Sequence, residues 1–176
     1  MYLTAGQFKG IKIDVPNNVK PTLSKVRQGV FNMLFSMGEY NSFLDMFTGS
    51  GLMALEAYSR GYEVVALEKN NANIKIINSN FSKTNSKTKV INIDSLKFTS
   101  NSKFDVIYLD PPWDMDYSLI IKKAKDLLNS NGVIVVEYDN QRNIDLGNII
   151  RTNNLNLSIL KTKKYGRCLI SLLHFI

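Results

Sequence analysis

The chain has 176 residues, 44% of them apolar, which suits one domain with a sizeable hydrophobic core. Its single cysteine, Cys168, excludes an internal disulfide framework, and no Cys/His cluster predicts a metal site. The N-terminus lacks a signal-peptide pattern, and no apolar run approaches the roughly 18 residues of a membrane span. We therefore expect a cytoplasmic, monomeric protein that needs neither a metal nor a membrane.

The net charge of +7 is concentrated at the two ends of the chain. Residues 1–40 carry +3 and residues 140–176 carry +5, whereas residues 41–139 carry −1. A basic surface assembled from both ends would attract a polyanion, so this distribution favours a nucleic-acid partner. The alternative is that the basic residues only reflect a Lys-rich amino-acid composition and bind no partner.

The first predicted unit is an N-terminal extension, residues 1–40, which we expect to face RNA if the partner is a nucleic acid. Alternating apolar and polar residues over 7–15 predict an edge strand or a hairpin. Apolar residues recur at helical spacing over 26–35 and predict a helix, with Thr22 or Ser24 as its N-cap.

The second unit, residues 41–176, alternates strands and helices, a pattern typical of a parallel sheet covered by helices on both faces. The predicted helices cover residues 52–60, 72–81, 117–128 and 146–151. The predicted strands cover residues 43–47, 63–67, 89–93, 104–109, 132–137, 155–163 and 168–175. The last two strands would form an antiparallel hairpin, so we predict a Rossmann-like α/β fold with a seven-stranded, mostly parallel sheet.

A glycine-rich turn, residues 45–51, joins the first predicted strand to its helix. Glycines let the backbone approach a ligand closely, and the following helix offers free N–H groups. Glu68 ends the second strand, where a carboxylate can accept both hydroxyls of a ribose. Asp94 and Ser95 follow the third strand and could hydrogen-bond an adenine edge. Each feature has a structural alternative: a tight turn for the glycines, a solvated charge for Glu68 and a helix cap for Asp94. Their occurrence at successive strand ends favours a site for a nucleotide-like cofactor.

The fourth strand ends at a rigid corner, Asp110-Pro111-Pro112-Trp113, where two prolines forbid a helix and a further ladder bond. A carboxylate, a free carbonyl and a flat ring meet at the sheet edge where open α/β folds bind ligands. The carbonyl and the carboxylate can accept the hydrogens of a planar amine while Trp113 stacks on its ring. The alternative is a turn that only ends the strand.

Two cofactors are compatible with the glycine turn, because residues 49–54 also satisfy the dinucleotide pattern G-x-G-x-x-A. Asp45 favours S-adenosylmethionine, since a carboxylate can bind the ammonium of a methionine moiety but would repel a pyrophosphate. The amine-binding corner favours it as well, and an NAD-dependent enzyme is the alternative.

The glycine turn, the acidic strand ends and the Asp-Pro-Pro-Trp corner resemble the class I S-adenosylmethionine-dependent amino-methyltransferases with a (D/N)PP(Y/F/W) motif. The whole chain resembles the RsmD family, bacterial 16S rRNA guanine-N2 methyltransferases. This narrower resemblance rests on five segments: Ala5–Gly10, Lys20–Thr22, Val26-Arg27, Phe31-Asn32 and Tyr165-Gly166.

The resemblance implies a class I methyltransferase that modifies a guanine of 16S rRNA, flipped out of its helix, in an assembled or partly assembled small ribosomal subunit. The implied catalytic residues are Asp110, Pro111, Pro112 and Trp113. The implied S-adenosylmethionine-binding residues are Asp45, Phe47, Thr48, Gly49, Ser50, Gly51, Glu68, Lys69, Asp94, Ser95 and Asp110. The expected RNA contacts are Lys9, Lys12, Lys20, Lys25, Arg27, Lys161, Lys163, Lys164 and Arg167.

Two other functions are compatible with the same residues. An adenine-N6 methyltransferase acting on DNA or RNA could use the same corner, because it would hold either amine. A non-catalytic protein that binds S-adenosylmethionine or nucleic acid could keep the fold, although the intact glycine turn, Glu68 and Asp110 argue against it.

Overall fold

The computed structural model describes residues 1–17, 19–86 and 88–176. Within these ranges one sheet contains seven strands: β1 Ser42–Asp45, β2 Glu63–Glu68, β3 Lys89–Asn92, β4 Phe104–Leu109, β5 Leu128–Asp139, β6 Leu157–Tyr165 and β7 Cys168–Phe175. The helices are α1 Ser24–Phe35, α2 Leu52–Ser59, α3 Asn71–Ser82, α4 Tyr117–Leu127 and α5 Leu146–Thr152, with short 3₁₀ turns at Ser95–Lys97 and Asn140–Arg142.

The strands lie in the order β3-β2-β1-β4-β5-β7-β6. The first five pair in parallel, β7 pairs antiparallel with β5, and β6 pairs antiparallel with β7. This arrangement confirms the predicted mostly parallel sheet with its antiparallel hairpin. The order reverses between β1 and β4, so their carboxyl ends flank the crevice where doubly wound folds bind ligands.

Two apolar clusters cover the two faces of the sheet. One contains residues of α1, α2 and α3, and the other contains residues of α4 and α5. Neighbouring residues of β4 alternate between them, so that Tyr108 packs in the first cluster and Leu109 in the second. Because both faces are covered, the interior strands are almost continuously apolar.

The edge strand predicted over residues 7–15 does not form, because residues 7–10 form a turn, and the alternative of a hairpin holds with the turn at its tip. Gly6 and Gly10, with φ of 78° and 87°, bend the chain on either side of it. The flanking segments pair instead: the Leu3 N–H donates to the Ile11 carbonyl (3.1 Å). This short ribbon packs on α2, and a Cβ at Gly6 would lie 1.8 Å from the Ser59 carbonyl oxygen.

The predicted N-cap of α1 is also wrong. The helix begins at Ser24 after Leu23, and Leu23 makes no side-chain cap bond. Arg27 occupies the polar groups there, since its guanidinium donates to the Thr22 carbonyl (2.6 Å) and to the Ser24 hydroxyl (3.4 Å). In the C-terminal half β5 is longer than predicted and β6 begins two residues later. Across the described ranges, every helix is too short or too polar to cross a membrane.

Candidate active site

A cavity of about 820 Å³ opens at the carboxyl ends of the parallel strands. Seven acidic residues line it, and four of them are central to the site: Asp45, Glu68, Asp110 and Glu137. Its volume lies within the usual range for small-molecule and cofactor sites. The topology of the sheet therefore gathers at one place groups that are far apart in sequence.

Most of the residues predicted to bind the cofactor line this cavity. They are Asp45, Phe47, Thr48, Gly49, Ser50, Glu68, Lys69, Asp94, Ser95 and Asp110. Gly51 lies behind the wall as the N-cap of α2, with φ of 77°. A Cβ there would lie 3.0 Å from the Phe81 ring, so glycine allows α3 to pack closely against the turn.

Asp45 is the most deeply buried of the four acids, with 1% of its surface exposed. Its carboxyl group accepts hydrogen bonds from the Thr48 hydroxyl (2.8 Å) and the Phe47 N–H (3.3 Å). Burial, with a smaller contribution from the charge of Glu68, raises the pKa of Asp45 to about 7. A cation placed against this group would stabilise its ionised form.

Glu68 and Asp94 lie at the ends of neighbouring strands and both organise the local backbone. Glu68 accepts the Asn70 N–H (2.7 Å), and Asp94 caps the following 3₁₀ turn by accepting the Leu96 N–H (3.0 Å). Asp94 is therefore a helix cap, and it also lines the cavity. Each bond uses one oxygen of the carboxylate, so the other can accept from a ligand.

The Asp-Pro-Pro-Trp corner forms the opposite wall. Trp113 is 62% exposed, and the Arg142 guanidinium lies 4.6 Å from its ring centroid. The Pro112 carbonyl accepts the Met115 N–H (3.2 Å), whereas within the described residues no backbone N–H donates to the Pro111 carbonyl. The corner thus presents an unpaired carbonyl, a carboxyl group and an accessible aromatic face.

Asp110 is not the only carboxyl group beside the corner. Glu137 accepts hydrogen bonds from the Tyr108 hydroxyl and from the Cys168 thiol (3.3 Å). Burial and the neighbouring charges of Glu137 and Asp45 raise the pKa of Asp110 well above its ordinary value, although Lys20 opposes them. Burial raises the pKa of Glu137 as well. Glu137 was not among the predicted site residues, although the strand predicted over residues 132–137 ends at it.

The basic residues expected to contact RNA are exposed, with one exception. The exposed ones are Lys9, Lys12, Lys20, Lys25, Lys161, Lys163, Lys164 and Arg167. The two ends of the chain meet where α1 packs against the β6–β7 turn: a Cβ at Gly29 would lie 2.1 Å from the Tyr165 hydroxyl oxygen. Lys20 and Arg167 line the cavity itself, so basic groups extend to its rim.

The exception is Arg27, and the expectation that it contacts RNA is wrong. Its side chain is 0% exposed, and its Nε lies 3.2 Å from Oε2 of Glu56, which is equally buried. Arg27 precedes Val30, Phe31 and Leu34 by three, four and seven residues, so helical periodicity places it on the buried face. That spacing was visible in the sequence.

Solved structures of methyltransferases share this fold. A putative methyltransferase from Escherichia coli superposes with a TM-score of 0.81 at 23% identity, covering 98% of this chain and 96% of that one. A putative methylase from Haemophilus influenzae superposes with a TM-score of 0.71 at 28% identity, covering 98% of this chain and 96% of that one. An S-adenosylmethionine-dependent methyltransferase from Clostridium acetobutylicum superposes with a TM-score of 0.76 at 12% identity, covering 88% of this chain and 92% of that one. The fold is that of the class I S-adenosylmethionine-dependent methyltransferases.

Sequence comparison narrows the class to one family. The ribosomal RNA small subunit methyltransferase D of Haemophilus influenzae is 31% identical over 153 residues, covering 80% of this chain and 79% of the relative. The protein of the same name from Buchnera aphidicola is 29% identical over 163 residues, covering 82% and 81%. The model of the family described as conserved hypothetical protein 95 matches residues 1–174. The chain belongs to this family, the RsmD family indicated by its motifs.

Proposed function

We propose that this protein transfers the methyl group of S-adenosylmethionine to N2 of a guanine in 16S rRNA, within an assembled or partly assembled small ribosomal subunit. The observation that carries the proposal is the Asp110–Trp113 corner, which faces a cavity whose other wall carries Asp45, Glu68 and Asp94. The names of the relatives, small-subunit rRNA methyltransferases, support an rRNA substrate.

The residues around the glycine turn fit S-adenosylmethionine. Gly49 has φ of 54°, and a Cβ there would lie 3.0 Å from Val19, so both the backbone conformation and the tight packing favour glycine beside the cavity. Asp45 would bind the ammonium group, Glu68 the ribose hydroxyls, and Asp94 with Ser95 the adenine edge. When bound, the cofactor supplies a methyl group attached to a positively charged sulfur.

The corner would prepare the acceptor amine. The lone pair of an exocyclic amine is delocalised into the base, which makes the nitrogen a poor nucleophile. The Asp110 carboxylate and the Pro111 carbonyl would accept hydrogen bonds from its two N–H groups. These bonds would orient the nitrogen lone pair toward the carbon of the methyl group. Trp113 would stack on the base, which must leave its helix to enter the cavity.

Transfer of labelled methyl to three acceptors tests the proposal: small subunits that lack the modification, naked 16S rRNA and duplex DNA. Nucleoside analysis then locates the label. We expect N2-methylguanosine from the subunit or the rRNA. N6-methyladenosine would favour the adenine-specific alternative, and tight binding of S-adenosylmethionine without label would favour a non-catalytic protein.

Asp45→Asn should weaken S-adenosylmethionine binding by about 30- to 100-fold, because a buried carboxylate–ammonium contact contributes roughly 2–3 kcal/mol. The same change should stabilise the cofactor-free protein at high pH. The pKa of Asp45 is about 7 in the folded protein against an ordinary 3.8, so its ionisation destabilises the fold as pH rises through this interval. Isothermal titration calorimetry measures the affinity.

Thermal unfolding at pH 5 and pH 8 supplies the control for that variant. The melting temperature of Asp45→Asn should exceed that of the wild type by more at pH 8 than at pH 5. A cofactor affinity equal to that of the wild type would contradict the role given to Asp45, whatever the stability.

Neutralising Lys25, Lys163 and Lys164 together should weaken rRNA binding and make it less dependent on salt. Each lost phosphate contact lowers the slope of log K against log salt by roughly 0.7–0.9, so we expect a decrease of about two. Filter binding between low and moderate salt measures this slope. A matched triple change to glutamine at the exposed Lys75, Lys97 and Lys122 should leave it unchanged, and equal slopes for the two triple variants would contradict this RNA surface.

A further inference from the structure

Glu137 lines the cavity beside the Asp-Pro-Pro-Trp corner, and the proposed chemistry gives it no role. It lies beside Asp110, because Leu109 of β4 pairs in parallel with Val136 of β5 and the residue that follows each of them is acidic. Residues paired across parallel strands point to the same side, and neighbouring strands lie roughly 4.8 Å apart. The two carboxyl groups therefore reach the same part of the cavity, next to the Asp-Pro-Pro-Trp corner.

The hydrogen bonds of the two carboxyl groups differ. Two hydrogen bonds fix the Glu137 side chain, since Tyr108 donates to its Oε2 and Cys168 donates to its Oε1. A carboxylate has about four acceptor positions, so two of them are available to a ligand. Among the described residues no donor reaches the Asp110 side chain. The corner thus contains one fixed carboxyl group and one that is available to the substrate.

Two adjacent carboxyl acceptors match the edge of guanine and not that of adenine. On guanine the exocyclic amine stands next to N1–H, so the edge presents donors side by side. On adenine the exocyclic amine stands next to N1 with a lone pair, which would repel an ionised Glu137, the form that the hydrogen bonds from Tyr108 and Cys168 favour. Asp110 and Pro111 alone would hold either amine, so the discrimination has to come from a neighbouring group.

We infer that Glu137 accepts the N1–H of the target base and thereby makes the site selective for guanine over adenine. The inference rests on the proposed methyl transfer to an amino group of a purine. Its contact is separate from the contacts to the amine, so a change at Glu137 alters which base is chosen. The hydrogen bonds from Tyr108 and Cys168 set the direction in which the carboxylate points.

The test first locates the guanine that the wild-type protein methylates in 16S rRNA. Ligated rRNAs then carry guanine, 2,6-diaminopurine or 2-aminopurine at that position. All three have the N2 amine, but the two analogues have a lone pair at N1 in place of N1–H. The wild type should prefer guanine by at least about 100-fold in kcat/KM, because an analogue leaves the buried carboxylate without its partner.

Glu137→Gln should reduce that preference to below about tenfold, since its amide can donate to the N1 lone pair of an analogue while still accepting from Tyr108. S-adenosylmethionine affinity and melting temperature serve as controls for folding. Tyr108→Phe, which removes one of the bonds that orient Glu137, should lower the preference less than Glu137→Gln.

The possible outcomes separate the two proposals. Equal rates of the wild type on guanine and on both analogues would overturn the inference without any variant. An unchanged preference for guanine over the analogues in a folded Glu137→Gln protein would overturn it as well. In both cases the proposed methyl transfer to the amine would remain supported. If the wild type transferred no label to guanine, the proposed function would fail and the inference with it.

Discussion

Replacing Asp110 by asparagine should lower methyl transfer by about 100- to 1,000-fold, the usual cost of losing one acceptor or donor that acts on the transition state. Asparagine keeps the size of the side chain but offers only one acceptor oxygen and no charge. The unpaired Asp110 carboxyl group is the principal acceptor in the proposed site, so the amine would lose its main orienting contact. Single-turnover transfer of labelled methyl to the rRNA substrate measures the effect.

Asp126→Asn is the matched control for that change. Asp126 is an exposed residue of α4 that does not line the cavity, so its neutralisation removes the same charge away from the site. We expect its transfer rate to equal that of the wild type. Calorimetry should show a much smaller loss of S-adenosylmethionine affinity than of rate in Asp110→Asn. A variant at Asp110 that transfers methyl within a few fold of the wild type would exclude the proposed role.

Replacing Glu56 by leucine should lower the free energy of unfolding by about 3–5 kcal/mol, because it leaves Arg27 charged and buried without its partner. Glu56 is 0% exposed, and it also accepts hydrogen bonds from the Thr4 N–H and hydroxyl. It therefore joins the N-terminal ribbon and α1 to α2. Urea unfolding measures the loss, and Glu63→Leu at an exposed position is the control.

A double variant tests whether the buried charge is the cause. Arg27→Met with Glu56→Leu removes both charges and keeps apolar volume in the core, so it should be more stable than Glu56→Leu alone. Recovery should be partial because Thr4 and Arg60 also lose a partner. If the losses in free energy of unfolding of Glu56→Leu and of Arg27→Met alone added up to the loss of the double variant, the ion pair itself would contribute little.

Most of the residues proposed to bind the cofactor line one cavity, as the sequence predicted, because their signals are local. Asp45 lies within an apolar run and Glu68 and Asp110 each follow one, and the rule that parallel strands bind ligands at their carboxyl ends brings them together. Glycine and proline identify the two turns by their own backbone restrictions. The same alternation of runs predicted the order of strands and helices.

Features that depend on contacts between segments far apart in the sequence could not be predicted from local patterns. Glu137 receives hydrogen bonds from Tyr108 and Cys168, which are 29 and 31 residues away. These contacts exist because β5 lies between β4 and β7. Arg27 was misassigned because a charged side chain suggests solvent, while its partner Glu56 lies in another helix. The N-terminal ribbon pairs through bonds that alternation over residues 7–15 does not reveal.

The position of β7 between β5 and β6 has a consequence for chains whose synthesis stops early. Until residues 168–175 are present, the free edge of β5 exposes backbone groups beside the apolar run Val133–Val136. Such an edge can pair with another copy of the same chain. Fragments that end before β7 should therefore self-associate, and Glu137 would lack its contact with Cys168 in them. Only a chain translated through β7 can assemble the whole cavity wall.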